Sequence, residues 1–137
     1  MQHTTITPKQ HHILRIVRGE DIVEQITSFC KDHGIQSGSL RGIGACDEAE
    51  LGAYSVETKE YLKKVFSGEH EITVLIGIVS DTKVHLHATI SDESFNAFGG
   101  HVNRMRVSAT CEIHLISGEE SISRAPDEET GLELLDF

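Results

Sequence analysis

His85 and His87 stand one residue apart, and His101 follows a Gly99-Gly100 pair. Three imidazoles in so short a stretch are a donor set for a divalent metal. The segment Val84-His85-Leu86-His87-Ala88-Thr89-Ile90 alternates apolar and polar residues, the period of a strand with one buried face. Residues i and i+2 of a strand project to the same side, so His85 and His87 lie side by side, roughly 6–7 Å apart. Ring rotation can turn both onto one ion, which needs imidazole nitrogens ~2.0–2.1 Å away. His101 supplies a third ligand after a loop from Phe95 to Gly100, whose glycines relieve backbone crowding. Three protein ligands with an open position suit a catalytic or ligand-binding ion, not a closed structural one. Zinc is favoured by such ligands, although nickel, copper and iron also accept them. A His-x-His pair alone more often simply faces water, and the chain has nine histidines. The added Gly-Gly-His is what singles out this trio.

The elements that must hold these residues are mostly strands. His11 to Val17 predicts a first strand, stopped by Gly19. Glu20-Asp21 then opens a helix, where acids suit the positive end of the dipole. Ile22, Val23, Ile26, Phe29 and Cys30 recur at helical spacing as one buried stripe, and Gly34 ends it. No other segment is a convincing helix. Ser37 to Ala45 is small and glycine-rich. Its Gly42-Ile43-Gly44 precedes no helix, which removes a dinucleotide fingerprint and leaves close backbone approach as the use of the glycines. Glu50 to Ser55 and Tyr61 to Phe66 read as strands, with Ser67-Gly68-Glu69 as a turn. Glu71 to Val79 is a nearly continuous apolar run of the kind buried on both faces. Asp81-Thr82-Lys83 turns it into the histidine strand as a hairpin. Val102 to Ile116 gives one long strand or two shorter ones, and Ser121 to Arg124 a short last strand. Leu132, Leu134, Leu135 and Phe137 form an apolar-acidic tail that should dock on the domain or on a neighbouring subunit.

The length of 137 residues suits one domain, spanning 1–137, with a single core. No stretch is apolar enough to span a bilayer, and the first ten residues lack a signal-peptide layout, so no membrane partner and a cytoplasmic location are expected. Cys30, Cys46 and Cys111 are widely spaced and odd in number, which suits buried thiols in a reducing compartment. The formal charge is −10, and from Glu112 onward eight acids face Arg124 alone. Direct DNA binding depends on Lys and Arg meeting phosphates, so this balance makes it doubtful.

The stretch Arg15 through Ile22, the run Gly38-Ser39-Leu40-Arg41-Gly42-Ile43-Gly44, Leu51-Gly52, Glu71-Ile72, His85-Leu86-His87-Ala88, Gly99-Gly100-His101 and Thr110-Cys111-Glu112 occur in a telling order. The chain resembles the plants-and-prokaryotes conserved (PPC) domain family from about Ile13 to Leu135. In plants this domain follows basic AT-hook segments in nuclear proteins, and this sequence contains no AT-hook. Bacterial and archaeal members are single domains, often labelled DNA-binding by analogy. The resemblance implies an α/β (α+β) fold, a mostly antiparallel β-sandwich with one main packed helix, and assembly as a homotrimer. That fold is also similar to acetolactate decarboxylase, a zinc enzyme holding its metal with a His-x-His pair and a later histidine. The likeness implies His85, His87 and His101 as metal ligands. The decarboxylase also needs acidic and arginine groups near its metal, for which Arg41, Glu71 and Glu112 are candidates. Two functions follow as expectations: a homotrimeric metal-binding module with a regulatory or ligand-binding role, or a zinc-dependent enzyme acting on a small oxo acid.

Overall fold

The computed structural model describes residues 1–136. Strand β1 (Pro8–Val17) leads into helix α1 (Ile22–Asp32). There follow β2 (Ser37–Ser55), β3 (Glu60–Ser80), β4 (Lys83–Ser91), β5 (Ala97–Gly118), β6 (Ser123–Pro126) and β7 (Glu133–Asp136). All ladders between these strands are antiparallel. The main sheet runs β1-β5-β2-β3-β4, and β4 also pairs with the start of β5. The sheet therefore closes on itself. One edge of β5 serves β4 through residues 97–101 and β1 through 110–118, while the other edge follows β2.

Closure puts one face of β2, β3, β4 and β5 inside. Leu86, Ala88 and Ile90 of β4 are buried there, as the alternation predicts, with Leu75, Met105, Val107, Ile113 and Leu115. Helix α1 covers the core with Ile22, Ile26 and Cys30 and packs on β4 and β5. Asp21 fixes its start with both oxygens. Oδ1 accepts from the Glu24 backbone N–H and Oδ2 from that of Met105, each at 3.0 Å. One carboxylate thus caps the helix and ties it to β5. Gly34 follows the helix at φ +60°, a conformation that favours glycine. All three cysteines are buried and free, and burial pushes their thiols up to about 11, 11 and 12 for Cys30, Cys46 and Cys111.

Several strands differ from their predicted form. The two glycine-punctuated halves of β2 are one strand with irregular pairing near Gly42–Gly44 and Cys46–Glu48. A Cβ at Gly44 would lie 2.7 Å from the Cys111 Cα, so the glycine lets β2 and β5 approach. Ser67-Gly68-Glu69 is not a turn. Gly68, at φ +96°, sits in a bulge inside β3, which continues through it. The apolar run of β3 is buried on one face only: Ile72, Leu75 and Val79 are inside, while Val74, Ile76 and Ile78 are exposed. A bulge between Ile72 and Val74 resets the alternation there. The β3–β4 hairpin turns on Asp81 and Thr82 at φ +50° and +60°, both left-handed, as in the tight turns whose twist matches paired strands. The C-terminal segment folds back as the β6–β7 hairpin onto its own domain. The Tyr54 hydroxyl donates to the Thr130 carbonyl at 2.7 Å and Lys59 Nζ to that of Glu128 at 2.7 Å. Leu132 and Leu135 are half-buried there, Leu134 is exposed, and Phe137 lies outside the described residues.

Candidate metal centre

The three histidines meet on the outer face where β4 and β5 join. Strand alternation directs His85 and His87 outward while Leu86 points into the core. His101 is the direct cross-strand partner of His87. Gly99 and Gly100, expected in a loop, lie instead within β5, paired with Thr89 and Ala88. The connection is only the short turn at 92–96, where the Asp92 carboxylate accepts from the backbone N–H groups of Ser94 and Asn96, each at 2.9 Å. Gly100 serves close approach: a Cβ there would stand 2.7 Å from the Gly52 carbonyl oxygen. Its absence lets β5 lie flat between β2 and β4 and sets His101 on its rung.

The ring centroids form a near-equilateral triangle of 5.1 Å (His85–His87), 5.0 Å (His85–His101) and 5.5 Å (His87–His101). Nε2 of His87 lies 3.3 Å from Nε2 of His85. One nitrogen from each ring falls within 4.8 Å of the others. Three basic nitrogens so placed cannot all carry protons cheaply. Burial, then His101, Arg124 and His87, pull His85 down to about 4. Burial, then His87 and Lys63, lower His101 as well. Neutral imidazole is the ligand form. His101 Nδ1 is buried with no hydrogen-bond partner, a polar atom left unsatisfied by the protein alone. A shared cation would relieve the crowding of lone pairs, so the donor set fits a divalent transition metal.

The predicted arginine and acidic residues, Arg41, Glu71 and Glu112, are not beside this trio. Arg41 is exposed on β2, opposite Ile76, which in turn is opposite His87. Two strand spacings separate Arg41 from His87, roughly 9–10 Å. Glu71 pairs with Ser91 at the far end of β4. Glu71 and Glu112 line a shallow cleft with Ile43, Thr73 and Thr110 instead. Arg124 does reach the histidines: its Nη2 lies 3.5 Å from His85 Nδ1. Its signal in the sequence was its isolation, the one base among the acids after Glu112. Tyr61, whose ring centroid is 5.8 Å from that of His101, closes the other side.

The sequence profile of the Plants and Prokaryotes Conserved (PCC) domain matches residues 3–119. This chain belongs to that family. Solved structures agree with the PCC fold. A plant- and prokaryote-conserved protein of Pyrococcus horikoshii is 31% identical, with a TM-score of 0.92 over 100% of this chain and 98% of that one. A metal-containing protein of Archaeoglobus fulgidus is 34% identical, with a TM-score of 0.90 over 98% of both chains. Bacillus subtilis acetolactate decarboxylase is similar in fold alone, at 19% identity and a TM-score of 0.55 over 86% of this chain and 56% of that one. The curated relative matched is a bifunctional GlmU protein of a Synechococcus strain, 33% identical over 121 residues. The match takes in 86% of this chain but 18% of that relative's length.

Proposed function

We propose that this PCC-domain protein is a metal-binding module, with one divalent transition ion, zinc by preference, held by His85, His87 and His101. The observation that carries this is the convergence of three ring nitrogens, one from each histidine, within 4.8 Å of one another. Three imidazoles leave a coordination position open, where a bound ion would polarise a ligand or a water. The working unit is a homotrimer with a regulatory or ligand-binding role. Support for assembly comes from the outer sheet face, where Ile13, Ile43, Val74, Ile76, Ile78 and Ile116 are all at least 42% exposed. Aliphatic residues repeated across one face are what a subunit interface covers. The test is metal analysis of untagged protein after incubation with excess zinc, with the mass in solution measured alongside. About one equivalent per chain in a three-chain particle is the expected result. Less than about a tenth of an equivalent removes the metal, and a monomer removes the assembly.

A second function, zinc-dependent turnover of a small oxo acid, draws on the same open position. Screening oxo and hydroxy acids for turnover that a chelator abolishes distinguishes it from ligand binding alone.

A further inference from the structure

Arg124 is held with its charge uncommitted. Its Nε donates to Ser80 Oγ at 2.7 Å and its Nη1 to the Glu133 carbonyl at 2.8 Å. Among the described residues no carboxylate lies within 4 Å of its guanidinium. The Glu133 carboxylate turns instead to Lys83, at 3.7 Å. These bonds present Nη2 to the histidine cluster, 3.5 Å from His85 Nδ1. A fixed guanidinium with spare donors beside neutral imidazoles is half of an anion site.

The other half is apolar. An open cavity of about 420 Å³ lies on the same outer face, with Ile6, Ile78, Ile116, Ile122 and Leu135 in its walls. Two of these residues border the cluster. Ile78 is the cross-strand partner of His85, and Leu135 is the cross-strand partner of Arg124. The cavity therefore begins where the charged groups end.

We propose that the site takes a small aliphatic carboxylate. Its head group lies between the ion of the three histidines and Arg124, and its tail lies along Ile78 and Leu135 in the cavity. This rests on the metal reading above and adds the class of ligand. Shape favours a carboxylate over inorganic phosphate: the aliphatic side chains in the cavity wall suit an alkyl tail, which phosphate lacks.

The test loads untagged protein with cobalt(II), whose visible spectrum reports on its ligands. Acetate, butanoate, hexanoate and inorganic phosphate are then titrated in separately at neutral pH. Affinity is expected to rise up to about fourfold for each methylene added beyond acetate, the effect of taking a methylene out of water. Arg124→Gln is expected to bind cobalt one to one but to lose about tenfold or more in butanoate affinity. Leu135→Ala, which cuts back the cavity wall, is expected to lower the gain in affinity for each added methylene. Equal affinity for acetate and hexanoate, phosphate binding tighter than every carboxylate, or an unaltered Arg124→Gln variant overturns the carboxylate site while leaving the metal in place. Failure to take up cobalt at all overturns both.

Discussion

Replacing His101 by alanine should uncouple stability from zinc. An ion that binds only the folded chain stabilises it by about 2.7 kcal/mol when present at a hundredfold excess over its dissociation constant. Unfolding entropy near the midpoint is about 2.1 cal/mol/K per residue, or roughly 0.29 kcal/mol/K for a chain of this length. Zinc should therefore raise the melting temperature of the natural protein by about 9 °C. His101 is one corner of a triangle whose sides are 5.0 and 5.5 Å, so its loss leaves only two adjacent rings. The variant should then gain no more than about 2–3 °C under the same zinc. In chelator the two proteins should melt within a few degrees of each other, because the ring removed is partly desolvated and its Nδ1 has no partner to lose. Differential scanning calorimetry with and without zinc provides all four numbers. A full zinc-induced rise in His101→Ala would mean that the ion sits elsewhere and would refute the three-histidine site.

Gly100→Ala forces a Cβ against the Gly52 carbonyl, so it should cost about 1–3 kcal/mol in denaturant unfolding and weaken zinc binding by displacing the adjacent His101. Metal-free protein should lose stability as pH falls from about 6.5 toward 4. The unfolded chain protonates at the ordinary value while His85 holds out to about 4, a difference worth about 1–2 kcal/mol after allowance for solvent screening. Denaturant midpoints at pH 7 and 5 should therefore fall less in His85→Asn, and an equal fall would exclude the mechanism. Asp21→Ala removes the acceptors of two backbone N–H groups and should cost about 1–3 kcal/mol by chemical denaturation, with zinc stoichiometry intact. Native gels at low salt should show no shift of duplex DNA. Saturable binding there would contradict the inference from a net charge of −10.

The helix and the histidine strand were legible because each displays its own period. Ile22, Ile26 and Cys30 mark one helical face, and Leu86, Ala88 and Ile90 alternate with outward residues. The lengths of β2 and β3 were not, because a bulge and a turn use the same residue types. Ser67-Gly68-Glu69 reads as a reversal until the partner strand is known to continue past it. The exposure of Val74, Ile76 and Ile78 was hidden for a related reason. An apolar run looks the same whether its second face meets the core or the outside of the molecule. At the site, the two strand histidines followed from local spacing alone. The cross-strand placement of His101 depended on β5 starting early, which the glycine pair disguised as a loop. Arg124 could not be placed from sequence, because it reaches His85 through the fold-back of the last hairpin, 39 residues further along.

Closing the sheet also bears on how the protein avoids self-association through its backbone. A strand with unpaired amides invites a stranger to add on. Here β5 uses both edges, and β1, paired with β5 alone in the sheet, is left with one edge open. That strand begins with Pro8, which has no amide hydrogen to offer, and continues through Lys9, Gln10, His11 and His12, a polar stretch poorly suited to stacking in fibrils. The same closure that seats the histidines thereby withdraws the amides of that seam from strand addition, while residues 60–70 of β3, which have β2 but not β4 beside them, keep a second open margin.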